Sequence, residues 1–90
     1  MKYYGNDASN YVLDKCSGSN ELKHYGNIIA DKNHETTEGH FIRFTTYEFE
    51  DMYYTVVMFD GDVMMVVEDE DMFSDEQIEY LTSDGYNPHL

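Results

Sequence analysis

The sequence predicts an α+β fold, an antiparallel β-meander of three to four strands with one or two short helices packed on it. Three observations predict it. Three β-rich runs follow one another between His40 and Glu68, turn-forming residues separate them, and a helix-capping signature comes soon after the last. The 90 residues make one domain, 1–90, with no repeat and no linker long enough to divide it. A chain this short withdraws only about 60–65% of its unfolded surface from water, which allows one modest core.

The elements follow in order. Residues 6–18, NDASNYVLDKCSG, predict a short helix capped by Asn6 or Asp7, with Tyr11, Val12, Lys15 and Cys16 at helical spacing and Gly18 as a stop. Tyr25 to Ala30 predicts a strand, and the following DKNHETTEG a polar loop. His40 to Phe49, Met52 to Phe59 and Asp62 to Glu68 are rich in Val, Ile, Thr, Tyr and Phe, the residues a half-buried pleated surface favours. Asp60-Gly61 is a type I′ hairpin signal that pairs Phe59 with Asp62, Met58 with Val63, Val57 with Met64 and Val56 with Met65. Glu50-Asp51 makes a second short connection. Ser74-Asp75-Glu76-Gln77 is a capping box, Phe73 a staple to Ile78, and Gly85 and Pro88 a stop, so Asp75 to Thr82 is expected to be helical. Its stripe of Ile78 and Leu81 packs on one sheet face, giving two layers.

Charge is the most uneven property of the chain. Residues 1–43 hold Asp7, Asp14, Glu21, Asp31, Glu35 and Glu38 against Lys2, Lys15, Lys23, Lys32 and Arg43, a net of −1. Residues 44–90 hold thirteen acids and no lysine or arginine, a net of −13. Apolar residues at 41% and aromatics at 16% are too many for a disordered acidic tail, so the charge sits on a folded scaffold. Self-repulsion on such a scaffold costs stability, and it serves solubility or a partner of opposite charge.

Several chemistries lack their residues. The carboxylate runs look solvated, whereas a general acid needs burial to raise its pKa. There is no nucleophile signature and no glycine-rich phosphate loop, so no enzymatic activity is expected. An EF-hand loop starting at Asp60 or Asp69 would place Met65 or Ser74 where glycine is required, and His24, His34, His40 and His89 do not have zinc spacing. No cofactor or metal is therefore expected. Cys16 stands alone and reads as a plain buried thiol. The longest apolar run is Val63 to Val67 and Met1 is followed by Lys2-Tyr3-Tyr4-Gly5, so a cytoplasmic protein without a membrane segment is expected.

What remains is acid mixed with tyrosine. The partner-binding residues expected are Glu48, Glu50, Asp51, Glu68, Asp69, Glu70, Asp71, Asp75, Glu76, Glu79 and Tyr80. Alternate residues of a strand lie roughly 6.5–7 Å apart on one face, comparable with the spacing of phosphates along a nucleic-acid strand. Carboxylates so spaced can occupy the arginine and lysine sites of a nucleic-acid-binding protein. Taken singly, Tyr47, Tyr53 and Tyr54 read as sheet packing and Met58, Met64 and Met65 as core filler. The chain itself is not expected to bind DNA or RNA, since its charge has the wrong sign.

Small size, acidity, abundant tyrosine and asparagine and scarce arginine resemble the small phage-encoded inhibitors: DNA-mimic anti-restriction proteins, acidic anti-CRISPR proteins and uracil-DNA glycosylase inhibitors. The resemblance covers composition throughout and the segment Glu48 to Asp84 in particular, but no motif, so it assigns no residue a role. It implies an inhibitor in a host cytoplasm that blocks a basic nucleic-acid-binding protein: a CRISPR effector, restriction enzyme, nuclease or glycosylase. An immunity protein or antitoxin that neutralises a basic nuclease needs the same surface, and a structural or assembly protein would carry the charge for solubility.

Overall fold

The computed structural model describes residues 2–17, 21–36, 38–71 and 74–82. Five strands, β1 (Lys2–Tyr4), β2 (Asn27–Glu35), β3 (Phe41–Phe49), β4 (Met52–Phe59) and β5 (Asp62–Asp69), form one antiparallel sheet in the order β1-β5-β4-β3-β2. Three helices, α1 (Gly5–Lys15), α2 (Glu21–Tyr25) and α3 (Asp75–Thr82), complete the α+β fold. No helix among the described residues is long and apolar enough to cross a membrane.

The central meander forms where the β-rich runs predict it. Both of its tight turns place their two central residues at positive φ, Glu50 at 50° and Asp51 at 65°, then Asp60 at 49° and Gly61 at 89°. Only turns of that handedness match the right-handed twist of the flanking strands. Glycine supplies one of these four conformations without strain, and acidic side chains take the other three.

The ends of the sheet differ from expectation. A fifth strand, β1, pairs Lys2, Tyr3 and Tyr4 with Val67, Val66 and Met65, and is too short to stand out in the sequence. Gly5, at φ 56°, then turns the chain directly into α1. The helix thus begins at Gly5 with Tyr4 as a cap lacking a side-chain hydrogen bond, not at Asn6 or Asp7, and ends at Lys15. The expected stop, Gly18, lies outside the described residues. Tyr25 closes α2 instead of opening a strand, and β2 runs on through Asp31–Glu35, where a loop is predicted. Pairing with β3 outweighs the turn propensity there: Asp31 accepts from Arg43 Nε at 2.9 Å and Nη2 at 2.7 Å, and from the Thr45 hydroxyl at 3.3 Å.

Both sheet faces are packed, so the two-layer expectation is corrected. One face carries Tyr47, Val56 and Val66 under Ala8, Cys16 and Leu22, with Tyr3, Tyr11 and Tyr54 partly buried at its side. The other carries Ile42, Phe44, Val57, Phe59, Met65 and Val67, with Ile78 of α3 packed against it. On this second face the Thr46 and Thr55 hydroxyls satisfy each other at 3.1 Å, which removes the cost of burying them in adjoining strands. Met64 and Met65 are buried and Met58 half-buried, as core filler should be.

One irregularity positions the site. Phe59 pairs with Asp62 and Met58 with Val63 as expected, but the register then shifts, so Val57 meets Met65 and Val56 meets Val66. Met64 is the extra residue of a β-bulge. A one-residue shift exchanges the faces of everything beyond it. The bulge therefore sets Glu68 beside Tyr54 and Asp69 beside Tyr53, where an unbulged hairpin would set Glu68 beside Tyr53.

Candidate interaction surface

The meander brings together acids that are distant in sequence. Glu48, Tyr53 and Asp69 lie in one row across β3, β4 and β5, so the two carboxylates stand about 10 Å apart with a phenol between them. Beyond this row the β3–β4 turn presents Glu50 and Asp51, and the end of β5 continues into Glu70 and Asp71. Glu48, Glu50, Asp51, Asp69, Glu70 and Asp71 are exposed. The Asp71 amide donates to Asp69 Oδ1 at 3.2 Å, which ties down the backbone around Glu70. Seven of the predicted site residues, Glu48, Glu50, Asp51 and Glu68 to Asp71, thus share one end of the sheet.

Glu68 differs from the rest because the bulge turns it inward. It is half-buried and accepts a hydrogen bond from the Tyr3 hydroxyl. Burial first, and Glu68 second, raise the Tyr3 phenol above its ordinary pKa, and the same two causes raise Tyr11 further. Tyr3, Tyr11 and Tyr54 form an aromatic row with ring centroids 4.7 Å and 6.5 Å apart. The sequence reads Tyr54 as sheet packing and Tyr11 as one residue of a helical spacing, and assigns Tyr3 no element. The available signal was Gly5, which can fold a tyrosine at position 11 back over one at position 3.

The remaining predicted residues stand apart from that end. Helix α3 begins as the sequence predicts: Gln77 N–H donates to Ser74 Oγ at 3.2 Å, and Ser74 N–H donates to Gln77 Oε1 at 2.8 Å. Asp75 and Glu76 occupy its first turn, where the helix dipole favours negative charge. Ile78 anchors the helix over the second sheet face, and Asp75, Glu79 and Tyr80 are exposed. Asp75 and Ile78 border a shallow hollow of about 360 Å³ with Lys32, Phe44 and Thr46, so Asp75 lies over β2 and β3. The staple residue Phe73 and the stops Gly85 and Pro88 lie outside the described residues, whereas the stripe residue Leu81 falls in the last turn of α3.

The opposite sheet end is also acidic, and there Asp60 has internal partners. Asp60 Oδ1 accepts from the Phe41 amide at 2.9 Å and Oδ2 contacts His40 Nδ1 at 2.7 Å. The Phe41 amide foremost, then His40, hold the Asp60 carboxyl below its ordinary range. Likewise Arg43 holds Asp31 low. Among the described residues, no group of three or more His, Cys, Asp and Glu is placed to hold a metal ion. No protein-family model matches the chain, and no curated protein and no solved structure matches it.

Proposed function

We propose that the protein is a stoichiometric inhibitor that binds a basic nucleic-acid-binding surface of a host defence or DNA-processing protein and occupies it in place of nucleic acid. The observation that carries this reading is the register of β3, β4 and β5, which unites Glu48 to Asp51 with Glu68 to Asp71 on one rigid sheet end. Charges held by a sheet lose less freedom on docking than charges on a free tail, so more of their attraction appears as affinity. Tyr53 between Glu48 and Asp69 adds an apolar contact of the kind that anchors interfaces. The acids of α3, a helix packed on the sheet face that carries Glu48, Tyr53 and Asp69, extend the negative field and speed encounter with a basic partner.

The test is capture of a tagged chain's partner from the extract of a host cell, followed by competition. The expected partner binds nucleic acid, is released by added salt, and is displaced by duplex DNA or RNA that it recognises. A partner that holds the protein and its nucleic acid at the same time refutes the reading. The purified protein alone should produce no shift of labelled DNA or RNA in a gel.

A further inference from the structure

Beside the acidic sheet end lies a cavity of about 240 Å³ bordered by Tyr3, Tyr11, Tyr54, Glu50, Glu68 and Lys15. We propose that this cavity receives one arginine side chain of the partner, an inference that rests on the proposed function and supplies its anchoring contact. The volume is below the roughly 300–1,000 Å³ of pockets for whole small ligands, and it suits one side-chain head group. The chemistry selects a cation. Three phenol rings in a row offer negative π faces, and Glu68 and Glu50 add carboxylates beside them.

A guanidinium satisfies this arrangement better than an ammonium. It is planar and stacks on a ring, its forked N–H groups match a carboxylate, and it surrenders its hydration more readily. The cavity lining is mixed, with buried Leu22 and half-buried Phe49 beside phenol and carboxylate groups. That mixture fits a side chain whose methylenes and charged head both need contacts. Two features of the backbone direct the carboxylates here: the bulge at Met64 brings Glu68 to the tyrosine face, and the left-handed conformation at Glu50 sets that residue at the rim. The ammonium of Lys15 borders the same space. It weakens the local negative potential, so an incoming guanidinium competes with it.

Free ligand tests the cavity without the partner. Ring-proton NMR signals of Tyr3, Tyr11 and Tyr54 are followed while N-acetyl-arginine amide is added, with N-acetyl-citrulline amide as the uncharged isostere. The arginine probe should shift these signals saturably, and the citrulline probe should not. Glu68→Gln keeps an acceptor for the Tyr3 hydroxyl and should preserve the fold, yet it should weaken arginine binding by about tenfold, the scale of one charge-assisted hydrogen bond. Lys15→Met should tighten it. Equal shifts with citrulline, or arginine binding unchanged by Glu68→Gln, overturn the proposal. Saturable arginine binding together with a captured partner that does not bind nucleic acid supports the cavity and sinks the proposed function. Capture of a nucleic-acid-binding partner that is displaced by nucleic acid, with no saturable arginine binding, sinks the cavity alone.

Discussion

The β3–β4 turn provides a quantitative test of whether the sheet end is built for charge at the expense of stability. Glu50 and Asp51 both occupy left-handed backbone, at φ 50° and 65°. That conformation costs an ordinary L-residue about 1–2 kcal/mol, and less for aspartate or asparagine. Replacing the pair with the asparagine and glycine that a type I′ turn favours should recover roughly 1 kcal/mol at position 50. At position 51 the gain is smaller, because glycine surrenders about 0.5–1 kcal/mol more conformational freedom on folding. The Glu50→Asn/Asp51→Gly variant should therefore gain about 1–2 kcal/mol, or a rise in Tm of roughly 4–15 °C for a domain of this size. Removing two charges from a chain of net −14 acts in the same direction. The single variant Glu50→Gln removes charge while leaving the backbone strain, and concentrated salt screens what remains. Thermal and urea unfolding of parent, single and double variants in concentrated salt give the comparison. A double variant no more stable than Glu50→Gln under those conditions would refute the strain argument. The turn acids would then owe their place to contacts that stabilise the fold.

Three further predictions follow from the core and the titratable groups. Substituting alanine for Ile42, fully buried in β3, should cost about 2–5 kcal/mol, a large part of the roughly 5–15 kcal/mol that a small domain possesses, as read from urea unfolding. Asp60→Asn should destabilise at neutral pH, because the native carboxyl titrates lower than the unfolded one. That contribution is complete above the unfolded value near pH 4 and disappears as pH falls through the native value, so the gap between parent and variant should close on acidification. A gap that widens below pH 4 would contradict this assignment. Burial pushes the Cys16 thiol to about 11, so its thiolate is roughly a hundred times scarcer in the native protein than in the unfolded chain. Reaction with a disulfide reagent at mildly alkaline pH should be slow for native protein and fast in denaturant; equal rates would show that Cys16 is accessible.

Much of the fold was legible because local signals and tertiary structure agree. The hairpin at Asp60-Gly61, the Ser74–Gln77 capping box and the three β-rich runs each specify one local geometry, and the fold uses all three. The discrepancies arise where pairing overrides propensity. Asp31 to Glu35 has the composition of a loop but gains a bidentate arginine partner and a neighbouring strand. Lys2 to Tyr4 is too short to show alternation, and β5 supplies its hydrogen bonds. The Met64 bulge has no marker in the sequence, since no glycine occupies it and the Met64-Met65 pair suits either register. For the candidate surface, the acids themselves were legible by composition, whereas their grouping depended on strand register. Hence Glu68 reads in the sequence as one of a solvated run, although the bulge places it against Tyr3 and Tyr54, and Asp75, Glu76 and Glu79 read as one stretch with Glu68 to Asp71, whereas Asp75 borders the hollow over β2 and β3.

The sheet end has a built-in control at the other end of the sheet, where Asp60 lies in a turn of the same type and Asp62 follows it. The most direct test of the account compares the affinity of the captured partner for two variants that lower negative charge by similar amounts. One carries Glu50→Gln, Asp51→Asn, Glu70→Gln and Asp71→Asn, all exposed at the proposed interface. The other carries Glu35→Gln, Glu38→Gln, Asp62→Asn and Asp7→Asn, all exposed and away from that end. Isothermal titration calorimetry across a series of salt concentrations reads affinity and salt dependence together, with circular dichroism confirming the fold of each variant. The first variant should bind at least about tenfold more weakly and with a shallower salt dependence, the scale of a few interfacial charge pairs, while the second should stay within about threefold of the parent. Equal weakening of the two would show that net charge, not the β3–β4–β5 end, attracts the partner. Unchanged binding of the first variant would contradict the central claim outright.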